Sequence, residues 1–139
     1  MAHYADKTFI TNKNLYSVKV KSDRVDVNII LPLINSKLIS FTYIKEVSQA
    51  TKDDFPQITI KDFLSLPFPD EAKLISAGER LLKLVDQIIL FMKRIENLKT
   101  PQEKTALQRQ IDATDNQIDQ LVYKLYGLSE KEIKIVEGV

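Results

Sequence analysis

The residues of this 139-residue chain best suited to chemistry are cations and amides near its start. Lys7, Thr11, Asn12, Lys13, Asn14, Lys19, Lys21 and Arg24 fall in one short stretch, opposed mainly by Asp6 and Asp23. Lysine and arginine suit phosphate oxygens, and asparagine can donate to and accept from an adenine edge. The same stretch also reads as an ordinary solvated hairpin. Other reactive groups are sparse. There is no cysteine, and His3 is the only histidine. Thiolate sites and histidine clusters are therefore excluded. Asp112, Asp115 and Asp119 are spaced to share a helix face, but no loop glycine or bidentate glutamate accompanies them, so they read as a solvated acidic face and not as a metal site. Asp53-Asp54 reads as a hydrated loop pair. No nucleophile–base constellation or phosphate loop stands out, which makes a standalone enzyme the poorest reading.

The elements that would hold these groups change period midway. From Thr8 to Val20 apolar and polar residues alternate, which predicts two short strands around a turn at Thr11 to Asn14. Asp26 can cap a helix running to about Val47, with Pro32 kinking it or marking its true start. Gln57 to Ile60 predicts another short strand, with Thr59 or Asp62 opening a turn of helix before Leu66-Pro67-Phe68-Pro69.

Residues 70–139 read as a helical hairpin and a short last helix. Asp70 can cap a helix to about Leu98, whose Leu81, Val85, Ile88, Met92 and Ile95 repeat in coiled-coil steps. Thr100-Pro101-Gln102-Glu103 restarts the helix as a capping box. Leu107, Ile111, Thr114, Ile118, Leu121 and Leu125 repeat in turn, so the two seams should pack antiparallel. Gly127 suits a left-handed stop, and Ser129 to Glu132 is a further capping box. Thr114 reads as a register marker or as a residue bonding back to its own helix. Tyr123 and Tyr126 should pack the helix end. The expected fold is α+β: a small mixed α/β half over residues 1–69, then the hairpin and C-terminal helix over residues 70–139.

The net charge is +1, so any nucleic-acid surface must be local. The C-terminal half is slightly acidic, making the hairpin as a whole a weak candidate for phosphate contact. No apolar run approaches the roughly 18 residues of a membrane span. With no signal-peptide pattern either, the expectation is a cytoplasmic protein without membrane contact.

Four pieces in order resemble a known family. Lys7 to Asn12 followed by Leu15-Tyr16, the segment Leu33-Ile34-Asn35-Ser36-Lys37-Leu38, Phe55 to Phe63, and Leu66 to Pro69 resemble the TaqI-like C-terminal specificity domain. The runs Gln108 to Asp112 and Leu121 to Leu128 resemble its end. That domain closes adenine-specific DNA methyltransferases and fused restriction-modification enzymes, and type I specificity subunits share part of the pattern. The resemblance implies a target recognition domain that holds duplex DNA while a separate domain flips and methylates adenine. It implies double-stranded DNA and the parent's methyltransferase domain as partners. No cofactor is expected in this chain, with S-adenosylmethionine belonging to that other domain. Pro32 departs from the pattern. The glycine-rich cofactor loop and the Asn/Asp-Pro-Pro-Tyr motif are absent. Because the chain begins in strand-like sequence, the expectation is an excised C-terminal fragment whose Met1 is not the parent's own. The alternative is a non-catalytic assembly module that self-associates through the hairpin.

Overall fold

The structure, a computed structural model, describes residues 17–46 and 59–139. Six helices follow one another: α1 Val27–Asn35, α2 Lys37–Glu46, α3 Ile60–Ser65, α4 Glu71–Ile95, α5 Pro101–Tyr126 and α6 Glu130–Glu137. No strand occurs among the described residues, whose only regular structure is helical, and the α+β expectation is corrected. Part of the reason is visible at residues 17–22. Val20 is half-buried against the core between exposed Lys19 and Lys21, but Val18 is 49% exposed, so the alternation places only one side chain inward. Alternation makes a strand only where a neighbour completes the ladder, and no described segment does. At the third expected strand, Thr59 instead caps α3 and Ile60 begins it. Thr8 to Tyr16 and Gln57-Ile58 lie outside the described residues.

Local sequence sets the helix ends. Asp26 caps α1 by accepting from the Asn28 N–H. Thr59, Thr100 and Ser129 form reciprocal capping boxes with Asp62, Glu103 and Glu132, each contributing about 1 kcal/mol. Gly127 ends α5 with φ of 72°, a left-handed conformation that glycine adopts without a Cβ clash.

Pro32 lies inside α1, yet the chain breaks four residues later, at Ser36. Here α1 and α2 meet at a 59° bend. Proline removes one helical donor, but the break needs substitute partners for several groups. The Ser36 hydroxyl supplies two, donating to the Leu33 carbonyl at 2.7 Å and accepting from the Ile39 N–H at 3.3 Å. A third comes from 82 residues away. The Asp119 Oδ1 on α5 accepts from the Lys37 N–H at 3.0 Å, at the first residue of α2. Asp119 is 3% exposed. Its Oδ2 lies 3.4 Å from the Lys37 Nζ and has no well-directed hydrogen bond. The Lys37 ammonium also donates to the Asn116 Oδ1 at 3.0 Å. A buried carboxylate thus sits at the positive end of a helix, where charge and dipole agree.

The antiparallel α4–α5 pair carries the core. Leu81, Val85, Leu107, Ile111, Ile118 and Val122 are buried, as are Ile29, Leu33 and Leu38 from the first half. Helix α1 comes close to α4 because Gly78 offers no side chain. A Cβ there would stand 2.6 Å from the Ile29 Cδ1. Thr114 is buried and donates to the Gln110 carbonyl at 2.8 Å, bonding back to its own helix. The C-terminal end of α5 is buried on more than one side. Val122 and Tyr123 are wholly inside, while Leu121 and Leu125 are only partly covered. The Tyr126 hydroxyl donates to the Pro67 carbonyl at 2.6 Å and ties the Leu66 to Pro69 link to α5.

Two outcomes are expected. Asp119→Ala strands the Lys37 N–H without its acceptor and should cost about 1–3 kcal/mol in denaturant unfolding, whereas Asp119→Asn keeps an acceptor and should cost less. Equal losses would show that charge alone matters. Burial raises the Tyr126 hydroxyl pKa from 10.0 to about 12. The folded state therefore holds that proton more tightly, and the resulting stability is present below pH 10 and lost between pH 10 and 12. Tyr126→Phe should lower stability at neutral pH by about 1 kcal/mol and make the alkaline loss shallower, as read by circular dichroism.

Candidate nucleic-acid interface

Arg24 stands on a turn between two inward-facing residues. Val25 is buried and Val20 half-buried, so this stretch is fixed to the helical core at both ends. Ser22 fixes the turn. Its hydroxyl donates to the Glu71 Oε1 at 2.6 Å and accepts from the Arg24 N–H at 3.1 Å. Glu71 is the first residue of α4, so the helix start holds the turn. The Arg24 Nε lies 4.0 Å from the same Glu71 oxygen, and the arginine side chain is 75% exposed. An exposed pair at that distance contributes at most about 1 kcal/mol, so the guanidinium can leave it for an anion. Lys19 and Lys21 are exposed and have no ion-pair partner among the described residues.

The structure therefore brings Lys19, Lys21 and Arg24 together on one short, anchored segment. Lys7, Thr11, Asn12, Lys13 and Asn14 lie outside the described residues. Among the hairpin residues singled out by spacing, Leu81, Val85, Leu107, Ile111 and Ile118 are buried. Ile88, Ile95, Leu121 and Leu125 are partly buried, and Met92 is 51% exposed. Helix α1 covers α4 near Gly78, while Met92, almost four turns on, is half exposed.

The three aspartates of α5 do not act as one face. Asp112 accepts from the Gln108 amide at 2.8 Å. Partial burial pushes the Asp115 carboxyl above its ordinary range, and Asp119 pushes the same way. Asp119 is sequestered with Lys37, which corrects its reading as a solvated residue. The signal for that role was present but not decisive: Asp119 directly follows a core isoleucine, and only the position of α2 shows what it meets. A shallow open groove that begins beside the contact of Lys37 with Asn116 is lined by Arg80, Asn116, Gln117, Gln120, Leu121 and Lys124. None of these was singled out by spacing except Leu121.

Similarity to known proteins bears on the same segment. Residues 1–68 match the TaqI-like C-terminal specificity domain. The match ends at Phe68, just before the hairpin begins. The chain is also 36% identical over 87 residues to a Methanocaldococcus jannaschii protein provisionally named a type II restriction enzyme and methyltransferase. That alignment takes in 60% of this chain and 7% of the relative's length. No solved structure matches the chain.

Proposed function

We propose that this chain is a DNA sequence-recognition part of a restriction-modification enzyme. Residues 1–69 form the recognition segment. Residues 70–139 form the helical hairpin and C-terminal helix that carry it. The family match of residues 1–68 supports this reading most directly, and the name of the methanogen relative agrees with it. The exposed Lys19, Lys21 and Arg24 give it a physical basis, since they present positive charge on a turn held by Glu71. In this reading the segment performs no chemistry. A methyltransferase domain of the same parent binds S-adenosylmethionine and methylates adenine. The recognition segment holds and checks the duplex while that base is extruded. An enzyme that works on DNA inside a cell places the chain in the cytoplasm.

Duplex binding measured by fluorescence anisotropy across a salt series tests this. Affinity should fall linearly on a log–log plot, with a slope of about −0.9 per phosphate contact. The triple change Lys19→Ala, Lys21→Ala and Arg24→Ala should make the slope shallower by about 2–3. An unchanged slope would remove these residues from the interface. Absence of duplex binding at low salt would count against the recognition reading itself.

Assembly through the hairpin is a second reading, favoured by one observation. Ile89, Leu90 and Met92 are 43%, 65% and 51% exposed near the end of α4. Three large apolar residues in the open are costly unless something covers them. Sedimentation should then show concentration-dependent self-association that Leu90→Lys abolishes. A monomer at every concentration rejects this reading.

A further inference from the structure

Charge on the hairpin is sorted by face, although its sum is close to zero. Seven residues make nearly two turns of helix, so residues seven apart form a stripe. Along α4 one stripe runs through Lys73, Arg80, Gln87 and Arg94, all exposed. Along α5 another runs through Gln110, Gln117 and Lys124, also exposed. The two stripes meet at the groove where Arg80 lies with Gln117, Gln120 and Lys124. The next step before Gln110 is Glu103, and it is engaged with Thr100 in a capping box.

The carboxylates fall elsewhere. Glu79 and Asp86 each precede a stripe residue by one position, about 100° around the helix. Glu79 is also paired with Lys83 at 2.8 Å. Asp119 faces α2, where Lys37 engages it. The groove looks away from α1, because Gly78, which meets Ile29, is two residues and about 200° from Arg80. Neither Arg80 nor Lys124 has a hydrogen-bond or ion-pair partner among the described residues.

Two unpaired cations beside several amides, with no carboxylate in the groove, suit an anion rich in acceptor oxygens. The stripe from Lys73 to Arg94 is about 31 Å long at 1.5 Å per residue, which suits an extended polyanion better than a single ion. We propose that this face of the hairpin holds the phosphate backbone of duplex DNA, as a surface separate from Lys19, Lys21 and Arg24. Its contacts position the duplex and do not read it. The inference rests on the DNA-recognition reading above and assigns the hairpin a direct part in it.

The full chain carrying Arg80→Ala and Lys124→Ala tests this against the Lys19, Lys21 and Arg24 variant. Both altered residues are exposed, so thermal melting of the helices should stay unchanged. The salt slope should become shallower by about 2, so that a fourfold rise in salt costs about tenfold less affinity than in the unaltered chain. The loss should be equal on duplexes of unrelated sequence, because phosphates carry no sequence. An unchanged slope, with a reduced slope in the Lys19 variant, overturns the hairpin surface and leaves the recognition reading intact. Failure of the unaltered chain to bind any duplex overturns both. If poly-glutamate binds through Arg80 and Lys124 while duplex binding ignores them, the groove takes an acidic protein surface and the inference is overturned.

Discussion

Leu81 and Val122 are fully buried in the core around the seam between α4 and α5, and α1 and α2 are packed onto that helix pair. Two long helices can hold each other only over the length where both offer apolar side chains. Here buried residues run from Leu74 to Val85 on α4 and from Leu107 to Tyr123 on α5. Helix α1 rests on α4 at Gly78, and α2 is held against α5 by Asp119. The turn bearing Arg24 is in turn anchored to Glu71, at the start of α4. Remove the seam and none of these attachments has a fixed partner.

The attachment of α2 uses charge where the others use shape. A carboxylate buried beside apolar side chains is costly unless it is paired and hydrogen-bonded. Asp119 meets both a backbone N–H at a helix start and a lysine ammonium that reaches in from the edge. The arrangement works in both directions. It satisfies a donor that the break at Ser36 would otherwise leave open, and it gives the buried charge its counter-charge. Such a contact is directional, so it sets the position of α2 along α5 more narrowly than apolar packing could.

The same hairpin separates two kinds of surface. Toward α1 and α2 it is apolar and carries the buried carboxylate. Along the groove it offers arginine, lysine and amides without a counter-charge. The anchored turn at Lys19 to Arg24 adds a second basic surface. A net charge of +1 conceals this, because the acidic residues that balance the sum point in other directions.

Much of the local structure could be read from sequence. Capping residues, the left-handed glycine and the paired heptads depend on neighbours within a few positions, and those neighbours are in the sequence. The family match of residues 1–68 was legible for the same reason, as ordered short motifs. Partners at long separation were not. Alternation from Thr8 to Val20 suggested strands, but a ladder needs a second segment and none is described beside residues 17–22. Pro32 marked a weakness in a helix, yet the break fell at Ser36, because Asp119, far along the chain, was there to accept the freed N–H. Spacing placed Leu121 and Leu125 in the seam, while extra neighbours at that end buried Val122 and Tyr123 instead. The sequence alone thus determined the caps, the periodicity of the hairpin and the family resemblance. Tertiary structure decided which faces met, since a buried charge or an open groove exists only once distant helices are brought together.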